Sequence, residues 1–138
     1  MNSLFADTSG WGCLADSNQK HHALAAMIYR KARQHQRLVI TTNYILAELV
    51  ALMHSPLHLP RSAMIAFLDG IKSSPYVDVI HVDQALDEKA WELMKQRPDK
   101  DWSLVDCASF VLMQQYGITE ALTTDRHFEQ AGFVRLLK

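Results

Sequence analysis

Apolar residues along the chain form two patterns that alternate from beginning to end. Short runs rich in apolar residues predict strands, and the one at residues 38–41 is typical of a buried strand. Longer stretches, such as residues 21–34 and 104–116, repeat apolar residues every three or four positions and predict helices. This alternation predicts an α/β fold, in which helices cover both faces of a central, mostly parallel sheet. In such sheets, ligands bind beyond the carboxyl ends of the strands.

The boundaries of the predicted elements come from turn and capping residues. Strands are predicted at residues 3–6, 38–41, 77–82, 121–123 and 133–136. Helices are predicted after the turn at residues 8–10, at 21–34, after Asn43 up to residue 53, at 61–71, from 83 or 84 to 95, at 104–116 and at 126–130. Asn43 and Ser103 are the predicted N-caps of their helices, and Gly117 is the predicted C-cap.

Composition places the chain among ordinary globular proteins. It has 138 residues, of which 49% are hydrophobic and 21% charged, so residues 1–138 are expected to form one domain with a real core. No run approaches the ~18 consecutive apolar residues that a membrane-spanning helix needs. Cys13 and Cys107 lie far apart among apolar neighbours and are expected to be reduced core residues. The first ten residues have no signal-peptide pattern, and the expected location is the cytoplasm.

Charge is unevenly distributed along the chain, although the formal net charge is only -1. No acid occurs between Asp16 and Glu48. That span carries the basic residues Lys20, Arg30, Lys31, Arg33 and Arg37 and three histidines. Such segregation can place a basic surface beside an acidic site, and the alternative is a solvated helix face.

Four acids interrupt the apolar pattern. Asp7 and Asp125 follow predicted strands, whereas Glu48 and Asp106 lie within apolar helical stretches. Each also has a purely structural interpretation. Asp7 and Asp125 suit helix N-caps, Asp106 has capping-box spacing from Ser103, and Glu48 could reach solvent from the edge of its apolar face.

Taken together, the four acids favour a metal site. If their strands are parallel and adjacent, all four can point into one crevice, where their charges would repel each other strongly. Carboxylate ligands suit Mg²⁺ or Mn²⁺, which activate a water and stabilise charge on a phosphoryl oxygen. Zinc is a weaker alternative because Pro56 breaks the helix between His54 and His58. No P-loop or GxSxG motif is present.

Four segments resemble, in order, the acidic motifs of PIN domains. They are FADTS at residues 5–9, ILAE at 45–48, SLVDCA at 103–108 and TTDRHF at 123–128, and AGF at 131–133 fits the C-terminal end of the family. The resemblance implies a three-layer α/β/α fold and a Mg²⁺- or Mn²⁺-dependent endoribonuclease, commonly the toxin of a toxin–antitoxin pair. Cleavage would leave a 5′-phosphate and a 3′-hydroxyl. The alternatives are a non-catalytic RNA- or protein-binding PIN module and a metal-dependent phosphatase, and Ser9 breaks the DxD arrangement that haloacid-type phosphatases use.

The resemblance also assigns roles to residues. The metal-binding and catalytic acids would be Asp7, Glu48, Asp106 and Asp125, with Asp7 and Asp106 as the main ligands. Auxiliary positions would be Thr8 or Ser9, which would support Asp7 or contact the phosphate, together with Thr124 and the outer acid Asp101. The basic residues Arg30, Lys31, Arg33 and Arg37 are predicted to bind the RNA backbone.

Three partners are expected: RNA, a cognate antitoxin and a second copy of the chain. The resemblance implies the antitoxin and suggests the dimer. The helix at residues 61–71 has more apolar positions than a narrow stripe needs. The predicted dimer surface is Leu57, Leu59, Ile65, Phe67 and Leu68. The alternative is that neighbouring helices of the same chain cover these residues.

Overall fold

Five parallel strands form one sheet in a computed structural model that describes residues 2–138. The strands are β1 (Leu4–Ala6), β2 (Val39–Thr42), β3 (Val77–Ile80), β4 (Glu120–Leu122) and β5 (Val134–Arg135). Their order across the sheet is β3-β2-β1-β4-β5, and β1 pairs Leu4 with Val39 on one side and Phe5 with Ala121 on the other. Because every pair is parallel, all carboxyl ends meet at one edge of the sheet.

Helices cover both faces of this sheet, which confirms the predicted three-layer α/β/α fold. They are α1 (Thr8–Ala15), α2 (His22–Gln34), α3 (Asn43–His54), α4 (Arg61–Ser73), α5 (Gln84–Gln96), α6 (Leu104–Tyr116) and α7 (His127–Gln130). One packed group contains α1 to α4, and a second contains α5 to α7. The chain steps outward from β1 to β3 and then returns to β4, so right-handed crossovers place the two groups on opposite faces.

The central strand β1 is completely buried, which fixes the base of the carboxyl edge. Leu4, Phe5 and Ala6 are each 0% exposed. Phe5 contacts Phe128 at a ring-centroid distance of 6.1 Å on the α5–α7 face. On the other face, Trp11 donates from Nε1 to Thr41 Oγ1 at 3.1 Å. Residues that follow β1 therefore start from a rigid position.

Gly10 lets α1 begin directly beside β4. A Cβ at this position would lie 2.0 Å from the backbone oxygen of Leu122, which no side chain can accommodate. The first turn of α1 consequently lies against the carboxyl end of β4, and this close approach brings Asp7 next to the residues that follow β4.

The structure corrects one predicted cap. The N-cap of α3 is Thr42, whose hydroxyl accepts from Ile45 N at 3.1 Å, and not Asn43. Asn43 Oδ1 instead accepts from Val82 N at 2.7 Å. Strand β3 ends at Ile80, two residues earlier than predicted, and the Val82 N–H is bonded to this side chain. The other predicted caps, Ser103 and Gly117, are confirmed.

The fold buries the residues of the predicted dimer surface to different degrees. Leu68 is only 9% exposed and belongs to the core, and Phe67 packs edge-on against Trp11 at 6.5 Å. Leu57 and Leu59 are also partly buried against the core, which leaves Ile65, at 48% exposure, as the exposed member of the set. The same chain therefore covers Leu68 and partly covers Leu57, Leu59 and Phe67, while the dimer itself stays a prediction.

Two further features match the sequence expectations. Cys13 and Cys107 are both free and buried. Burial raises the pKa of Cys107 to about 11, as expected for an unreactive core thiol. Across residues 2–138, every helix falls short of the length and apolar character needed to cross a membrane.

Candidate metal centre

Four acids converge at the carboxyl edge of the sheet. Asp7 directly follows β1, and Asp125 follows β4 after two threonines. Asp106 lies in the first turn of α6, and Glu48 lies midway along α3. The charge of Asp125 raises the pKa of each of the other three, so the four act on one another electrostatically. Topology therefore gathers acids that are separated by more than a hundred positions in the sequence.

Asp7 is the most buried of the four, at 6% exposure. Its Oδ1 accepts from Gly10 N at 2.9 Å and from Ser9 Oγ at 2.8 Å, and its Oδ2 accepts from Thr123 Oγ1 at 2.7 Å. Burial raises the pKa of Asp7 to about 7, although these three hydrogen bonds act in the opposite direction. Asp7 is thus both the N-cap of α1 and a member of the acidic cluster, so the two interpretations of this residue are compatible.

A hydroxyl network joins Asp7 to Asp125. Thr123 Oγ1 accepts from Asp125 N at 2.9 Å and lies 3.2 Å from Ser9 Oγ. Ser9 Oγ also accepts from Thr124 N at 2.9 Å. The side chain that supports the acids is therefore Thr123, which sequence reasoning missed, whereas Thr124 takes part through its backbone N–H. Ser9 supports Asp7 as the resemblance implied.

Glu48 has its own hydroxyl partner. Thr8 Oγ1 donates to Glu48 Oε1 at 2.5 Å, so Thr8 positions Glu48 and not Asp7. Burial raises the pKa of Glu48, and the charges of Asp106 and Asp125 raise it further. Glu48 therefore faces the other acids and not only the solvent.

Asp106 and Ser103 form a complete capping box at the start of α6. Asp106 Oδ2 accepts from Ser103 N at 3.1 Å, and Asp106 N donates to Ser103 Oγ at 3.0 Å. The same carboxylate is only 17% exposed, and burial raises its pKa. The capping interpretation is correct, but it leaves the carboxylate facing the other acids.

His127 stands between Asp106 and Asp125. Its Nδ1 lies 3.1 Å from Asp106 Oδ2 and 3.4 Å from Asp125 Oδ1. Asp125 Oδ1 also accepts from His127 N at 2.9 Å, which closes a tight turn at the start of α7. One ligand atom from each of these three residues lies within 4.8 Å of the others, a spacing that could hold a metal ion. Sequence reasoning did not select His127, and its place two residues after Asp125 was the available signal.

The remaining predicted site residues are not brought to this cluster. Asp101 is exposed in the loop before α6. Arg37 donates to Glu120 Oε1 at 2.5 Å and to Asn2 O at 2.7 Å, at the amino ends of the strands. Arg33 lies over the ring of Tyr76, just before β3 begins, at 4.8 Å. Arg30 and Lys31 are exposed on the same half of α2. The basic span therefore lies at the opposite edge of the sheet from the acids.

A cavity of about 380 Å³ opens beside the acidic cluster. Ser9 and Thr124 form its side next to the acids, and Gln19, Lys20 and His21 line it from the loop between α1 and α2. Apolar side chains, among them Leu52 and Leu57, complete the wall. This loop therefore brings Lys20 to the side of the acids, where Arg135 also donates to Thr124 O at 3.0 Å, whereas the end of α2 lies elsewhere.

The family model described as PIN domain matches residues 4–134. The chain belongs to the PIN domain family. The 23S rRNA-specific endonuclease VapC20 of Mycobacterium tuberculosis is 32% identical over 133 residues, which cover 96% of this chain and 97% of that protein. The crystal structure of that PIN relative, described as a sarcin-ricin loop cleaving toxin, has a TM-score of 0.82 to this chain.

More distant solved structures share the fold of this PIN domain. PAE2754 from Pyrobaculum aerophilum has a TM-score of 0.64 at 15% identity, covering 98% of this chain and 84% of its own. FitAcB from Neisseria gonorrhoeae has a TM-score of 0.63 at 14% identity, covering 98% of this chain and 96% of its own. At these identities the likeness extends to the architecture alone.

The donor atoms in this PIN domain fit a divalent cation. Among residues 2–138, the ion pairs formed by lysine and arginine involve none of the four acids. Three of the four have raised pKa values because of burial, and among the described residues the His127 imidazole is the one basic side chain paired with any of them. A divalent cation bound through the carboxylate oxygens would supply the missing positive charge.

Proposed function

We propose that this chain is a metal-dependent endoribonuclease that hydrolyses RNA phosphodiester bonds. The observation that carries the proposal is the set of four clustered carboxylates without a lysine or arginine partner, on a chain 32% identical to a 23S rRNA-specific endonuclease. Asp7, Glu48, Asp106 and Asp125 are the proposed ligands for Mg²⁺ or Mn²⁺. When bound, such an ion supplies an activated water and stabilises charge on the phosphoryl oxygen.

The chain's own residues hold these acids in place. Ser9, Gly10 and Thr123 fix both oxygens of Asp7, and Thr8 fixes one oxygen of Glu48. Backbone N–H groups of the capping box and of the α7 turn fix Asp106 and Asp125. The carboxylates are therefore oriented before any ligand binds, which is what electrostatic stabilisation of a transition state requires.

The cavity lined by Lys20 and His21 is the proposed entry for the RNA strand. It adjoins Ser9 and Thr124, so a phosphate seated at the acids leaves the flanking nucleotide in the cavity. A lysine there can neutralise a backbone phosphate, and the apolar wall can contact a base. By similarity to VapC20, we propose ribosomal RNA as the substrate class.

The proposed partners are a cognate antitoxin and a second copy of the chain. The antitoxin rests on similarity to VapC20, whose solved structure is described as that of a toxin. The dimer remains a prediction, and of the five residues proposed from the sequence Ile65 is the one that the fold leaves exposed. Ile65, at 48% exposure, and Val50, at 38%, are the large apolar side chains that the α3–α4 pair exposes.

The test is RNA cleavage by protein freed of any partner. We expect cleavage in Mg²⁺ or Mn²⁺ and none in EDTA, and we expect Asp7→Asn and Asp106→Asn to abolish it while the protein stays folded. Asp69→Asn, at an exposed position on α4, is the matched control and should cleave normally. Cleavage in EDTA would exclude the mechanism. A folded, metal-loaded protein that binds RNA without cutting it would instead support the non-catalytic PIN module.

A further inference from the structure

The His127 imidazole lies within hydrogen-bond distance of Asp106 Oδ2, but neither Asp106 nor Asp125 depends on it for its orientation. Asp106 Oδ2 is already held by Ser103 N at 3.1 Å, and Asp125 Oδ1 is already held by His127 N at 2.9 Å. Both carboxylates are thus oriented by backbone N–H groups, which do not depend on the imidazole. The ring nevertheless presents Nδ1 to both oxygens, at 3.1 and 3.4 Å, with the side chain 26% exposed.

These distances match neighbouring positions around one octahedral ion. Ligand atoms bound at 2.0–2.1 Å in adjacent octahedral positions lie about 3 Å apart. His127 Nδ1 stands at nearly that distance from one oxygen of each acid, and the three ligand atoms fit within 4.8 Å. Small side-chain movements would let the three atoms bind one ion on the same side.

We propose that His127 Nδ1 binds the divalent ion together with Asp106 and Asp125, so that the site has a mixed nitrogen and oxygen ligand set. This inference rests on the proposed metal-dependent function, and it changes the expected ligand chemistry. A carboxylate-only site suits Mg²⁺ and Mn²⁺ alike, whereas imidazole favours transition metals. The consequence is a preference for Mn²⁺ over Mg²⁺, because Mn²⁺ is the transition ion that carboxylates also suit.

The direct test is pulsed electron paramagnetic resonance of the full chain loaded with Mn²⁺, without RNA. A coordinated imidazole nitrogen modulates the electron spin echo of Mn²⁺, and we expect this signal in the wild type. It should disappear in His127→Ala and persist in His54→Ala, which removes an exposed histidine from the end of α3. Absence of nitrogen modulation in the wild type would overturn the proposal without reference to any variant.

Metal affinities give the second readout. We expect His127→Ala to weaken Mn²⁺ binding by more than about tenfold and Mg²⁺ binding by less, so that the Mn²⁺ preference falls. His127→Asp gives a site in which all the proposed ligand atoms are oxygens. It should bind Mg²⁺ at least as well as the wild type and show no nitrogen signal. An unchanged ratio of Mn²⁺ to Mg²⁺ affinity in both variants would contradict the proposal.

These outcomes are separable from the failure of the proposed function. If the wild type shows the nitrogen signal but cuts no RNA, His127 is a ligand in a non-catalytic PIN module. If it cuts RNA with Mg²⁺ or Mn²⁺ but shows no nitrogen signal, the nuclease function stands and the role of His127 is wrong. Circular dichroism of each variant confirms that it is folded.

Discussion

Replacing Asp7 by asparagine removes one buried negative charge while preserving the shape of the side chain. The amide oxygen can still accept from Ser9 Oγ and Gly10 N, as Asp7 Oδ1 does. The amide nitrogen can donate to Thr123 Oγ1, whose own proton then turns to Ser9 Oγ, 3.2 Å away. Every hydrogen bond of the network therefore survives, and the main change is in charge.

The size of the effect follows from the pKa of Asp7. Burial raises this pKa from 3.8 to about 7, so the folded state holds a proton that the unfolded state has lost. Stability must then fall as pH rises through this interval, because the folded protein binds more protons than the unfolded one. Three pKa units correspond to about 4 kcal/mol in all, of which roughly 2–3 kcal/mol is lost between pH 5 and pH 8.

The assay is chemical denaturation of metal-free protein at several pH values. The free energy of unfolding of Asp7→Asn should gain on that of the wild type as the pH rises. We expect the difference between the two proteins to be about 2–3 kcal/mol larger at pH 8 than at pH 5. Saturating Mn²⁺ should stabilise the wild type at pH 8 and have little effect on the variant, because ligands stabilise only the state that binds them. The variant should nevertheless be inactive.

Asp83→Asn is the matched control for the loss of a cap. Asp83 caps α5 by accepting from Leu86 N at 2.9 Å, but it is exposed, so its replacement removes no buried charge. If the stability difference between Asp7→Asn and the wild type is the same at pH 5 and pH 8, Asp7 is an ordinary ionised cap. The reasoning from burial would then be refuted.

Three further predictions concern packing, RNA and assembly. Gly10→Ala should lower stability by at least about 2 kcal/mol and reduce cleavage, measured by denaturation and RNA assays, because its Cβ would lie 2.0 Å from Leu122 O; a fully stable, active variant would contradict this. Lys20→Ala should weaken binding of a short single-stranded RNA and reduce the slope of log affinity against log salt concentration by about 0.7. Arg30→Ala should weaken binding only of a long structured RNA that reaches the opposite edge of the sheet. Equal effects of both variants on the short RNA would contradict the proposed entry of RNA beside Lys20. Light scattering should give about twice the 15.7 kDa chain mass, and Ile65→Glu should lower it; a wild-type mass near that of one chain would exclude the dimer.

The fold could be predicted from the sequence because its signals are local. Buried runs such as Val39–Thr42 mark strands, and Ser103 and Gly117 mark the ends of α6. The error at Asn43 has a physical cause. Thr42 and Asn43 are both able to cap a helix, and the choice depended on Val82, which lies 39 residues away and needed an acceptor for its N–H. A single sequence does not show such a distant partner.

For the candidate site too, residues with a local signal could be predicted, whereas those defined by a distant partner could not. The four acids stand out because each one follows a strand or interrupts an apolar helix face. Thr123 could not be distinguished from Thr124, since only the pairing of β1 with β4 decides which of the two faces Asp7, 116 positions earlier. The place of the basic residues Arg30, Lys31, Arg33 and Arg37 relative to the acids could not be predicted for a similar reason. Their position along the chain is close to the acids, but α2 runs back across the sheet and carries them to the amino edge.

The structure also explains why the capping and ligand interpretations of these acids were hard to separate. A helix N-cap needs an acceptor at the start of a helix, and a parallel sheet places helix starts at the carboxyl edge, where ligands bind. Asp7 meets both requirements with one carboxylate, because the N–H of Gly10 and the hydroxyls of Ser9 and Thr123 orient it without neutralising it. The bonds that stabilise α1 therefore also hold a buried charge ready for a cation. Removing that charge should make the protein more stable and less active, so the destabilising burial of Asp7 is tied to the proposed function of the site.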